Sequence, residues 1–135
     1  MNKIDTLCVI DDDEAFRFLT KLIVEETNLV NEIMFFPTGF EAINFFKSTK
    51  NDPKKLPEII LLDLNMPVMD GWEFLNEYIG LKPEIGKKIT TYIVSSSINP
   101  LDIQKAKSIR EVKDFVIKPI TQETFEEMVQ NIDIQ

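Results

Sequence analysis

Five short apolar runs alternate with five amphipathic stretches along this chain, and no other feature restricts its fold as much. The runs cover residues 6–10, 31–36, 59–62, 89–94 and 115–117. Short runs bounded by turn residues fit strands, and a continuous run such as IILL at 59–62 fits one buried on both faces. The stretches between them carry helical spacing. Phe16, Leu19, Leu22 and Ile23 give an inward face to a helix over 14–26, with carboxylates at its N-terminus. Thr38 to Glu41 reads as a capping box that opens a second helix to about residue 48, with Phe40, Ile43 and Phe46 facing inward. Asp70 caps a third helix to about residue 81, striped by Trp72, Leu75 and Ile79. Asn99 and Pro100 are an N-cap and first-turn pair for a fourth helix to about residue 109. Thr121 caps the last, whose face is Phe125, Met128, Val129 and Ile132.

Strict alternation of this kind predicts an α/β fold, a parallel sheet with helices on both faces and right-handed crossovers. Five such units commonly take the strand order 2-1-3-4-5, as in flavodoxin-like folds, with the switch point between strands 1 and 3. No repeat, low-complexity tract or linker interrupts the pattern, so residues 1–135 are expected to form one domain.

Ligands of open α/β sheets bind beyond the carboxyl ends of the strands at the switch point. Strand 1 ends in Asp11-Asp12-Asp13 and strand 3 in Asp63, so the crevice is lined by acids. Strand 4 brings Ser95-Ser96-Ser97 to the same rim, and strand 5 brings Lys118. Packed carboxylates have raised pKa values unless a cation joins them. Magnesium, a hard cation, suits one or two carboxylates with waters and a phosphate. Metal, lysine and hydroxyl together suit a phosphoryl group, and a carboxylate can itself become an aspartyl phosphate. Taken singly, each feature has an ordinary reading: a solvated helix start, a turn, a snorkelling lysine. Their coincidence on one rim carries the weight.

Composition narrows the chemistry further. The formal net charge of −8 argues against phosphate-backbone binding to nucleic acid and against an anionic membrane surface. The chain has no histidine, which removes Ser–His triads, His-based zinc sites and phosphohistidine chemistry on its own residues. Its one cysteine, Cys8, lies in an apolar run and reads as a buried structural thiol. No apolar run is long enough to span a bilayer and no signal-peptide h-region precedes the first acids, so a cytoplasmic location is expected.

At this point four segments resemble one family. VIDDDE at strand 1, LLDLNMPVMDG at strand 3, VSSS at strand 4 and FVIKP at strand 5 are similar to the receiver domain of two-component response regulators. The resemblance covers essentially the whole chain and implies a stand-alone receiver with no effector domain, a signalling switch rather than an enzyme. It implies Asp63 as phosphoacceptor, charged by a sensor histidine kinase or phosphotransfer protein. Asp11, Asp12, Asp63 and the backbone carbonyl of Asn65 would hold Mg2+, for which Mn2+ may substitute. Ser95 and Lys118 would meet the phosphoryl group, and Ser95 and Phe115 would form the switch. The bond before Pro119 would be cis. Signals would leave through helix 4, strand 5 and helix 5, roughly residues 99–132, to a protein target or a second copy. Two departures stand out. Phe115 replaces the tyrosine common at its position, and the stretch 81–87 before strand 4 is longer than in compact receivers.

A haloacid-dehalogenase-type aspartyl-phosphate phosphatase is the rival enzyme reading. Asp11 and Asp13 fit its DxD, but Ala15 does not fit the motif's last position and there is no room for a cap domain. A flavodoxin-like cofactor binder would need a phosphate loop where this chain has four acids.

Overall fold

The structure, a computed structural model, describes residues 4–132. The elements run β1 (Ile4–Ile10), α1 (Glu14–Thr27), β2 (Val30–Phe36), α2 (Gly39–Thr49), β3 (Ile59–Leu62), α3 (Gly71–Leu81), β4 (Thr90–Ser95), α4 (Pro100–Ser108), β5 (Val112–Ile117) and α5 (Gln122–Gln130). Short 3-10 turns at Pro53–Lys55 and Lys82–Glu84 interrupt the loops before β3 and β4. The five strands are parallel, in the order β2-β1-β3-β4-β5, as the alternation requires.

Alternation along the strands divides the core into two layers. Cys8, Ile10, Ile60, Leu62 and Ile93 face α2, α3 and α4. Leu7, Val9, Ile59, Leu61, Tyr92 and Val94 face α1 and α5. Both layers are buried, which is why β3 and the second half of β1 read as unbroken apolar runs. Cys8 is fully buried, and burial pushes its thiol pKa up, in keeping with a structural role.

Four expectations need correction. The buried stripe of α1 is Phe16, Thr20 and Val24, whereas Leu19 and Leu22 are 53% and 48% exposed. Apolar residues occupy half of this helix and fall on more than one face, so spacing alone could not choose the inward one. Phe40 is likewise 53% exposed, and α2 turns Gly39, Ala42, Ile43, Phe46 and Thr49 inward. Thr38 does cap α2, accepting from the Glu41 N–H, but the Glu41 carboxylate meets the Thr38 hydroxyl and not its N–H. The reciprocal capping box is at α3, between Asp70 and Glu73. Finally, β5 begins at Val112, three residues earlier than its apolar run, because a register shift opposite Thr91 and Tyr92 carries polar residues into the strand.

Candidate functional site

β1 and β3 pair with Ile10 opposite Leu62, so Asp11 and Asp63 leave the sheet side by side. The Asp63 N–H donates to the Ile10 carbonyl at 2.9 Å, extending the ladder one step past the strands. Asp11 and Asp63 are buried and Asp12 is exposed. One carboxylate oxygen from each of the three lies within 4.8 Å of the others. Asp13 takes no part, because its carboxylate accepts the Phe16 N–H and caps α1. The DxD of the phosphatase reading is therefore divided between two jobs.

Lys118 closes the crevice from β5. Its Nζ lies 2.8 Å from Asp11 Oδ2 and 3.5 Å from Asp63 Oδ1, and 4.3 Å from the centre of the Phe16 ring. Asp11 is held further by the Asp13 N–H, at 2.9 Å from its Oδ1, and by Arg17, whose Nη1 donates to its backbone carbonyl at 2.7 Å. Burial, then the neighbouring Asp11 charge, push the Asp63 pKa up to about 6, with Lys118 opposing. Burial also raises Asp11, offset in part by its hydrogen bond from Lys118. For Lys118 burial acts downward, but the hydrogen bond and charge of Asp11, with Asp63 behind it, outweigh it, and the ammonium is held above its usual range. The Lys118 ammonium thus pairs with two carboxylates of a cluster of three. An all-oxygen donor set with excess negative charge fits a hard divalent cation.

The loop after β3 is tightly built. The Pro67 carbonyl accepts from the Met69 N–H at 2.7 Å around Val68, whose φ is 67°. This is a γ-turn with a β-branched residue in the left-handed region, a strained arrangement of the kind found at functional sites. Asn65 is exposed in the same loop. Gly71 then donates to the Leu64 carbonyl at 2.9 Å, and a Cβ there would lie 2.4 Å from the Asp63 carbonyl oxygen. Only glycine lets the first turn of α3 sit against the backbone of the candidate acceptor. Spacing marked Gly71 as loop punctuation and gave no sign of this contact.

Ser95 ends β4 fully buried. Its hydroxyl accepts from the Ser97 N–H at 3.1 Å, and its carbonyl accepts from the Lys118 N–H at 2.9 Å. Ser97 in turn donates through its hydroxyl to Asp102 Oδ2 at 2.7 Å, tying the end of β4 to the first turn of α4. Sequence reasoning missed this link, as it missed Arg17. Phe115 pairs with Ile93 and packs, half-buried, on the layer shared with α2, α3 and α4. The Lys118–Pro119 bond is cis. Asp11, Asp12, Asp63 and Lys118 thus converge, whereas the hydrogen bonds of Ser95 run to Ser97 and Lys118 and not to Asp63.

A doubly wound five-strand sheet with an acidic switch point and a lysine just past the last strand has the outline of a receiver-type α/β domain. The response regulator receiver domain family matches residues 7–130, and the chain belongs to that family. The two-component response regulator of Cytophaga hutchinsonii superposes with a TM-score of 0.88 at 31% identity, over 97% of this chain and 98% of that one. Response regulator Rcp1 of Synechocystis is 27% identical over 94% of this chain and 85% of its own length. The Mn(2+)-bound form of Rcp1 superposes with a TM-score of 0.72 at 25% identity, over 95% of this chain and 91% of that chain. A protein-glutamate methylesterase of Burkholderia thailandensis is 28% identical over 82% of this chain, which spans only 28% of that larger protein. No helix among the described residues is long and apolar enough to cross a membrane.

Proposed function

We propose that this receiver takes a phosphoryl group onto Asp63 from the phosphohistidine of a sensor kinase or phosphotransfer protein, in the cytoplasm, and signals through protein contacts. An Asp63 carboxylate oxygen attacks phosphorus. A P–O bond forms as the donor's P–N bond breaks, and the imidazole leaves with the electron pair and takes up a proton. The observation that carries this reading is the buried Asp63 carboxylate at the switch point, 3.5 Å from Lys118 and beside two further carboxylates. Asp11, Asp12, Asp63 and the Asn65 carbonyl would hold Mg2+ or Mn2+. Such an ion, when bound, neutralises phosphoryl oxygen charge. Lys118 is placed to shift from Asp11 toward a phosphoryl oxygen, a charge-assisted contact.

Ser95 would then leave the Ser97 N–H and donate to another phosphoryl oxygen. Because Ser97 also holds Asp102, that exchange pulls on α4. Phe115 has no hydroxyl to keep it at the surface and moves into the vacated space. The output face is α4, β5 and α5, where Ile98, Leu101 and Ile117 are exposed. The phosphodonor docks elsewhere, on α1. Phe18, Leu19 and Leu22 are exposed there, beside a groove of about 610 Å3 lined by Ala15, Arg17, Lys21 and Phe35. Contiguous exposed apolar surface of this kind marks an interaction site.

Acetyl phosphate with magnesium should label the wild type once, by intact-mass spectrometry, and Asp63→Asn not at all. Label retained elsewhere in that variant would refute the assignment. Leu22→Glu should slow transfer from a phosphohistidine donor while leaving acetyl phosphate labelling unchanged. Equal loss with both donors would remove α1 as the docking face.

A further inference from the structure

The first turn of α1 holds the crevice at two points, one on each side. Asp13 stays out of the carboxylate cluster and caps the helix, its Oδ1 accepting the Phe16 N–H at 3.2 Å. That bond fixes the backbone of Phe16, and its buried ring lies under the Lys118 ammonium, 4.3 Å from ring centre to Nζ. The next residue, Arg17, holds the Asp11 carbonyl at 2.7 Å. Phe16 also packs in the core layer shared with α1 and α5, and packing alone accounts for a buried phenylalanine. It does not account for a cation over the ring face. The quadrupole of an aromatic ring attracts an ammonium placed there, most strongly where water is excluded. The Lys118 side chain is only 15% exposed, so the contact is largely desolvated.

Asp11 at 2.8 Å, Asp63 at 3.5 Å and the Phe16 ring all meet the ammonium, and they respond differently to a divalent cation. Asp11 and Asp63 belong to the donor set that fits such an ion, and a carboxylate that serves the ion has less charge to offer Lys118. Two cations in one crevice also repel each other. The ring carries no lone pair to give to an ion, so its attraction for Lys118 persists. It also holds the charge face-on without a strong acceptor, which leaves N–H donors of the ammonium free for another oxygen.

We propose, on the reading of Asp63 as phosphoacceptor, that Phe16 is a positioning residue: its ring keeps the Lys118 ammonium over the crevice once the carboxylates serve a divalent cation, so that Lys118 can meet a phosphoryl oxygen. Two opposite effects follow from removing the ring. Lys118 is then freer to leave, so the carboxylate cluster binds a divalent cation against less repulsion. The phosphoryl group loses a placed cation, so transfer slows. General loosening of the fold would weaken both.

The test compares full-length wild type with Phe16→Leu and Phe16→Tyr. Ring current should shift the Lys118 Hε protons upfield in NMR spectra of wild type and Phe16→Tyr, before and after magnesium is added, and not in Phe16→Leu. Magnesium titrations read at the amides of Asp12 and Asp63 should show about threefold tighter binding in Phe16→Leu. Labelling by acetyl phosphate at saturating magnesium should be about tenfold slower in Phe16→Leu, and within about twofold of wild type in Phe16→Tyr. On a Lys118→Ala background, Phe16→Leu should change neither quantity by more than about twofold, because the partner it acts through is gone. The proposal would be overturned by a wild-type Lys118 with no upfield shift, or by a shift lost when magnesium binds. It would equally be overturned if magnesium affinity and labelling fell together in Phe16→Leu, if Phe16→Tyr were as slow as Phe16→Leu, or if the Lys118→Ala background showed the same losses. A wild type that takes no label on Asp63 would instead overturn the phosphoacceptor reading, while the Lys118 shifts and the magnesium affinities still decide whether Phe16 holds Lys118.

Discussion

α3 and α4 follow adjacent strands of one sheet and are held in opposite ways. α3 begins with a reciprocal capping box, at 3.0 and 2.9 Å, and its Gly71 lies against the Asp63 backbone. It buries Phe74, Leu75 and Tyr78, and the Phe74 and Tyr78 rings stack 5.7 Å apart beside Phe46. α4 buries only Ala106 among its nine residues and leaves Leu101 72% exposed. Side-chain contacts do much of the holding instead: Ser97 to Asp102, and the Lys105 ammonium 4.4 Å over the Trp72 ring. The helix after the Asp63 strand is packed in place, which fixes Asp63. The helix after the Ser95 strand is tied by contacts of about 1 kcal/mol each, weak enough for the proposed phosphoryl contact to Ser95 to outcompete.

The largest effect should come from the packed helix. Phe74→Ala is expected to cost about 3–5 kcal/mol in urea unfolding, whereas exposed Leu101→Ala should stay within about 0.5 kcal/mol. Similar losses would erase the distinction. Gly71→Ala comes next, at about 1–3 kcal/mol, because the Asp63–Leu64 backbone has to shift. Unlike Phe74→Ala it should also slow acetyl phosphate labelling under conditions where the variant is fully folded.

The rigid frame keeps Asp63 in a crevice that raises its pKa to about 6. The native state therefore holds a proton more tightly than the unfolded chain does. Stability should rise as pH falls from about 6 toward the ordinary carboxylate range near 4, and the cost of ionising Asp63 is fully present above that window. In buffer free of divalent cations, Asp63→Asn should be more stable than wild type by roughly 1–2 kcal/mol at neutral pH. The gap should close across the same window in a urea series. A constant gap would mean that Asp63 ionises normally.

On the α4 side, Asp102→Ala should cost about 1 kcal/mol and speed hydrogen exchange through residues 99–108, with little change in α3. The smallest effect belongs to Lys105→Ala, about 0.5 kcal/mol, read as a change in Trp72 fluorescence. If that variant left the fluorescence untouched, the tie between the two helices would not exist in solution.

The strand order and the meeting of Asp11, Asp12, Asp63 and Lys118 were legible because strand ends of a parallel sheet converge on one rim, whatever the side chains in between. Faces of helices were less legible. α1 carries two apolar stripes, and only packing shows that Phe16, Thr20 and Val24 win over Leu19 and Leu22. The start of β5 was hidden because Lys113 and Asp114 are polar and the strand is irregular there. The Ser97–Asp102 contact and the role of Gly71 depend on how loops close in space, which no spacing rule reports.

Gly71 bears on how such a domain can change its allegiance. Because the backbone of Asp63 fills the place of a side chain at position 71, Asp63 and the start of α3 form one piece that cannot be re-aimed by small substitutions. Partner choice has to be written where substitution is cheap. Phe18, Leu19 and Leu22, on the docking face proposed for α1, offer such a place: exposed changes there cost within about 0.5 kcal/mol of stability. With donor docking on α1 as proposed, a lineage exchanges one phosphodonor for another by rewriting a helix surface, while the Asp63 backbone stays locked behind a missing methyl group.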